Sequence, residues 1–193
     1  SIFEHMHAIE PYWRWRGVYT AETDPQSPFY QRQYSEFEFT NAVYDHVIHP
    51  QWDDFESQTL YTKLLYADYQ NEYAILECMG EWNDLLYNDI MFFKRNVINP
   101  LMEEGILHFI IIGENVLNFH SSDDSYYEEW FDDVEHGWIS MINFLPHVET
   151  DFLAASIDHY VMIGPGLNEV PWRTMKPDQL FSMINDTVTK RIG

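Results

Sequence analysis

The chain has 193 residues, 32 acidic against 10 basic side chains, a formal net charge of −22, and 46% hydrophobic and 17% aromatic residues. That apolar content suffices for a packed core, and one domain is expected at this length. The charge excludes nucleic acid and an anionic membrane surface as partners, since both are bound through Lys and Arg, and leaves a basic protein, a cation or plain solubility to account for the acidity.

Residues 1–58 read as an aromatic, β-rich arm that completes the sheet, broken by Pro11, Pro25, Pro28 and Pro50. Short strands are expected at Tyr12–Thr20 and Glu36–Tyr44. In the first, alternation sets Trp13 and Trp15 on one side and Arg14 and Arg16 on the other. Paired tryptophans on one face read first as core, and second as a platform for stacking a sugar. The two arginines are among the few cations available to answer the acids elsewhere. His46 and His49 would converge on a metal only in a helix or turn. The start of the chain lacks a basic segment followed by an apolar run, and no apolar stretch nears the ~20 residues of a membrane helix, so a soluble, cytoplasmic chain is expected.

A core over residues 59–163 follows, then a C-terminal loop and helix over 164–193. Thr59–Tyr69 and Tyr73–Gly80 form a predicted hairpin about Gln70-Asn71-Glu72, with Lys63 and Glu77 on one face and placed to pair diagonally. Cys78 is the sole cysteine, which rules out an intramolecular disulfide, and it reads as a buried structural thiol. From Asn83, a plausible N-cap, the stripe Leu86, Ile90, Phe93, Val97, Leu101 predicts a helix closed at Gly105, kinked or ended early by Pro100. Leu107–Gly113 is short, Ile-rich and apolar, as a doubly covered central strand would be. A loop is expected over Glu114–Asp124, then a helix opened by a Ser125/Glu128 capping box and closed by Gly137. Trp138–Phe144 reads as another buried strand, residues 148–163 as a helix closed by Gly164, and Pro177–Arg191 as the last helix. The fold class is therefore α/β: a mixed β-sheet with an antiparallel hairpin followed by alternating helices and strands, the helices packed on the sheet.

The order of elements over 59–163 resembles that of STAS-like (SpoIIAA-like) domains, the anti-sigma-factor antagonist type. Those antagonists carry a phosphorylatable Ser or Thr at a helix start after a central strand. The corresponding stretch here is Asn118-Phe119-His120-Ser121-Ser122-Asp123-Asp124-Ser125, without the Gly-Leu that follows in that family. The resemblance implies Ser121 or Ser122 as the position of such a switch.

No lysine or arginine occurs between Asn96 and Trp172, a stretch holding fourteen acids, seven of them between Asp123 and Glu135. Tyr126, Tyr127, Trp130, Phe131 and Val134 run through that cluster at helical spacing, so it is the outer face of a packed helix. Acids crowded on one helix repel one another unless something offsets them. The leading functional expectation is thus a non-enzymatic binding or regulatory module that presents Glu128, Glu129, Asp132, Asp133 and Glu135 to a basic protein partner. A homodimer is compatible with the same sequence.

The alternative is a small-molecule or divalent-metal-dependent enzyme. Ligands of open α/β sheets gather beyond the carboxyl ends of the strands, which would place them at Glu114, Asn115, Asn118, His120, Ser121, Ser122, Asp123 and Asp124. Among these, His120, Asp123 and Asp124 offer mixed nitrogen and oxygen donors to a metal. No Gly-x-Ser-x-Gly, Gly-x-Gly-x-x-Gly, P-loop or His-Glu-x-x-His motif is present, and no cofactor is expected.

Overall fold

The computed structural model describes residues 9–35, 42–43 and 46–192. Its centre is a four-stranded sheet in the order β3-β4-β5-β6, made of β3 (Leu60–Asp68), β4 (Tyr73–Asn83), β5 (His108–His120) and β6 (Trp138–Ile142). β3 and β4 are the antiparallel hairpin, while β4–β5 and β5–β6 are parallel. The hairpin turn is held by Asp68, whose carboxylate accepts from Asn71 N–H at 2.9 Å and from its Nδ2 at 2.8 Å. The chain is thus α/β with a mixed sheet, as its residue pattern predicts.

Parallel neighbours require crossovers, and both run in the same direction along the sheet, so right-handedness puts their helices on one face. Between β4 and β5 lie α1 (Asp84–Tyr87), α2 (Asp89–Phe93) and α3 (Asn99–Glu103). Between β5 and β6 lies α4 (Ser125–Asp133), and α5 (Pro146–Ala154) follows β6. Phe93, Val97, Leu101, Trp130, Val134, Val148 and Phe152 from these elements pack on Leu76, Cys78, Phe109, Ile111 and Met141. Cys78 is fully buried here, and burial pushes its thiol up to about 12, which fits a structural and unreactive role.

The opposite face is covered by α6 (Pro177–Ile192) and the arm. Leu180, Ile184, Val188, Trp172 and Trp15 pack on Ile75, Ile110, Ile112, Trp138 and Ile142. Both faces of β5 are therefore buried, which is why Phe109–Ile112 is continuously apolar.

Several expectations are corrected. Tyr12–Thr20 is not a strand: Arg14–Gly17 is a 3-10 turn, with Trp15 7% exposed in the second core and Trp13 54% exposed. The two tryptophans consequently form no shared platform. The arm adds one bridge to the sheet among the described residues, Asp53 with Thr62, and β1 (Ala42–Val43) pairs with β2 (His46–Val47) apart from it. Most of the expected Glu36–Tyr44 strand lies outside the described residues.

The long helix after Asn83 is broken. Asn83 does cap α1, accepting from Leu86 N–H at 2.9 Å, but Asn88 adopts φ 54° and turns the chain, leaving Leu86 70% exposed and off the buried stripe. Pro100 is accommodated by a π turn over Lys94–Ile98, in which Asn99 N–H reaches back to Lys94 O. That wider turn clears the Asn96 carbonyl from the proline ring. The expected 148–163 helix stops at Ala154; Ser156 at φ 59° and a 3-10 turn over Ile157–His159 carry the chain to a single parallel bridge between Met162 and Ser140.

Asp89 fastens the hairpin to α2. Its buried carboxylate accepts from Ser57 Oγ at 2.6 Å, Thr59 Oγ1 at 2.8 Å and Asn83 N–H at 2.8 Å. Asp89→Ala strands three buried donors and should lower the unfolding free energy by about 3 kcal/mol or more, read by equilibrium urea denaturation. A loss under about 1 kcal/mol would show that the donors find other partners.

Candidate binding groove

A concavity of about 720 Å³ opens at the β6 edge of the sheet, within the size range of ligand sites. Phe131 and Val134 of α4 and the segment just after it form one wall. Trp138 and Ile139 form the floor, and Val161 and Met162 the far wall. Asp132, Glu135, Asp158, His159 and Tyr160 stand around it, with Ile192 at one end, and no lysine or arginine lines it.

Each wall is fixed by its own contacts. Gly137 lets the chain enter β6 close against the previous crossover, since a Cβ there would sit 1.9 Å from Leu107 O. The glycine thus serves close packing and does not close the helix, which ends at Asp133. Trp138 is held from the second face, its Nε1 donating to Asn185 Oδ1 at 2.9 Å and its ring stacked on Phe181 at 5.8 Å. Tyr160 packs edge-on against Phe131 at 6.0 Å and donates its hydroxyl to Asp124 Oδ2 at 2.9 Å. That hydrogen bond, with the charges of Asp124, Glu128 and Asp132, holds the Tyr160 pKa above its ordinary value and registers the negative field along α4.

The acids of α4 fall into two sets. Glu129 and Asp133 turn toward Lys94, whose buried ammonium reaches Glu129 Oε2 at 3.1 Å, Asp133 Oδ2 at 2.8 Å and Asn99 Oδ1 at 2.6 Å. Lys94, and not Arg14 or Arg16, answers the acidic helix. Glu128, Asp132 and Glu135 remain exposed, and Asp132 and Glu135 line the groove. The helix start also differs from the expected capping box: Asp123 takes the Ser125 N–H at 3.0 Å and also meets its hydroxyl, which lowers the Asp123 pKa.

The residues assigned to a loop site do not assemble. Glu114–His120 belongs to β5, which runs past the end of β6 beside β4. Glu114 pairs with Arg173 at 2.6 Å and Asn118 donates to Glu81 at 3.0 Å, while His120, Ser121, Ser122 and Asp123 are exposed at the strand end. Among the described residues no group of three His, Cys, Asp or Glu side chains is placed to hold a metal ion, so His120, Asp123 and Asp124 make no such centre. His49 lies beside Glu10, at 3.4 Å.

Under the arm, Lys63 and Glu77 are directly opposite in register but go separate ways. Lys63 Nζ sits 3.9 Å above the Tyr34 ring, near Asp53, while Glu77 accepts from Tyr12 N–H at 2.9 Å and from Asn115 Nδ2 at 3.4 Å. Burial raises the Glu77 carboxyl to about 7, against the pull of the Tyr12 N–H and Arg173. Burial likewise lifts Asp84 to about 7, despite hydrogen bonds from Tyr127 and Ile90, and Asp53 to about 6, despite Lys63.

Neither the burial of Lys94 nor the groove is legible in the sequence. Lys94 falls at helical spacing among the buried Ile90, Phe93, Val97, Ile98 and Leu101, and a charge on that apolar stripe is the available signal. The groove depends on where the chain leaves its helix after Ala154, which the helical periodicity of residues 148–163 conceals. No model of a known protein family matches this chain, and no curated protein does. Among the described residues no helix is long and apolar enough to cross a membrane.

Each raised carboxyl binds its proton more tightly in the folded chain than in the unfolded one. Folding therefore takes up protons, and stability falls as the pH rises from roughly 4 through roughly 7. The contribution is on the order of 3 kcal/mol per group. Thermal unfolding should show a higher Tm near pH 5 than near pH 8, and Glu77→Gln with Asp84→Asn should flatten the slope. An unaltered slope in the double variant would remove these groups as its cause.

Proposed function

We propose that this protein is a non-enzymatic binding module whose groove at the sheet edge takes a basic segment of a protein partner that also carries apolar side chains. The observation that carries the reading is the lining: apolar walls under a margin of Asp132, Glu135 and Asp158, with no lysine or arginine among the lining residues. Lys94 reaches Glu129 and Asp133 on the inward side of α4, which leaves Asp132 and Glu135 at the groove for an incoming group. A partner lysine or arginine can lay its alkyl stem along Phe131, 48% exposed, and set its head beside these acids. The charge contributes partner choice and association rate, and the apolar walls contribute affinity.

The probe is a fluorescein-labelled, acetylated and amidated peptide of three Lys-Val repeats, followed by fluorescence anisotropy at low and at physiological salt. It should bind, weaken as salt rises, and outcompete the corresponding Glu-Val peptide. Asp132→Lys with Glu135→Lys should reduce affinity about tenfold or more. Glu103→Lys with Glu169→Lys changes the net charge equally outside the groove and should reduce affinity less than about threefold. Equal losses in the two double variants would show attraction to overall charge and overturn the groove.

A further inference from the structure

β6 is the last full strand of the sheet, and Met162 extends the sheet beyond it by one residue. Met162 N–H donates to Ile139 O at 2.8 Å, and Met141 N–H donates to Met162 O at 2.8 Å. In a parallel ladder the N–H and C=O of one residue point to the same neighbour, and successive residues alternate sides. Trp138 N–H is given to Leu107 O at 3.1 Å, so Trp138, Ser140 and Ile142 face β5, while Ile139 and Met141 face outward. The outward carbonyl of Ile139 is taken by Met162. The Ile139 N–H points the same way, ahead of that bridge, and Ile139 is one of the residues that line the groove.

A strand running straight into Met162 would place its residue two positions earlier opposite Trp138 and accept from Ile139 N–H. This chain does not run that way. Tyr160 and Val161 both donate their N–H groups to Ile157 O, at 2.9 and 3.1 Å, and the Tyr160 side chain is drawn to Asp124. The chain therefore turns off along the far wall, and the groove lies along the line that a continuous fifth strand would follow.

We infer that the groove takes an extended, basic peptide segment as a short parallel strand beside β6, ahead of Met162. This rests on the reading of the groove as a basic-partner site and specifies its mode. Main-chain pairing at an open sheet edge supplies affinity, and alternate side chains supply selectivity. The residue opposite Trp138 shares the face of Trp138 and comes against its ring and Ile192, so it is apolar. Its two neighbours lie on the other face, toward Phe131, Asp132 and Glu135, so they are basic. The recognised pattern is basic-apolar-basic in an extended chain.

The test uses the peptide of three Lys-Val repeats and two variants, one N-methylated at every valine amide and one at every lysine amide. The valine N–H opposite Trp138 is directed at the Gly137 carbonyl, whereas the lysine N–H groups point away from β6. Valine methylation should cost about tenfold or more in affinity, lysine methylation less than about threefold, and the bound peptide should slow hydrogen exchange at the Ile139 amide. Equal affinities of all three peptides, the reverse order, or unchanged Ile139 exchange at saturation would overturn strand addition while leaving the groove reading intact. If the parent peptide does not bind at all, the groove reading fails and strand addition with it.

Discussion

A parallel pair of strands cannot be closed by a tight turn, and β5 is parallel to both of its neighbours. Everything else in the molecule follows from meeting that requirement twice in the same direction. The two crossovers put α1 to α4 on one face, so the other face has to be covered by elements from the chain ends. Trp15 of the arm and Trp172, Leu180, Ile184 and Val188 near the C-terminus do so. The same stepwise growth leaves β6 at the margin, and the third crossover, through α5, completes only one bridge at Met162. The groove is what that incomplete crossover leaves at the edge of the sheet.

Acidity is distributed to suit this architecture. The buried Lys94 gathers Glu129 and Asp133 on the side of α4 that meets the α2–α3 segment, which lets a helix this rich in like charge pack at all. The remaining acids stand at the groove margin and along the exposed face. Buried carboxyls carry a different role: Asp89 and Asp84 satisfy backbone and hydroxyl donors where the chain breaks after β4. The excess of negative charge therefore has a structural part, within the core margins, and a surface part that faces solvent.

Much of this fold is legible in the residues. The Ile-rich run at Phe109–Ile112, the hairpin about Asn71, the apolar Trp138–Ile142 and the amphipathic C-terminal helix have patterns that only one kind of element accommodates. The failures occur where two elements share a pattern. Trp13 and Trp15 alternate as in a strand, yet a 3-10 turn also separates them, and it sends them to opposite environments. Glu114–Asn118 is polar enough to read as a loop, but β5 and β4 extend together past the end of β6, where half-exposed polar side chains are tolerated. The site was legible as chemistry and not as shape: Asp132 and Glu135 belong to the acidic cluster, while the apolar floor beneath them requires knowing that the chain leaves its helix at Ala154.

The most direct test of the central claim is a map of backbone amide shifts in the isotopically labelled protein as the basic Lys-Val peptide is added. The account predicts saturable changes concentrated at Phe131–Ile139 and Tyr160–Met162, with the surface around Glu103 and Glu169 little affected. Changes spread over all exposed acids in proportion to their charge, or centred on the Glu114–Asp124 segment, would contradict it.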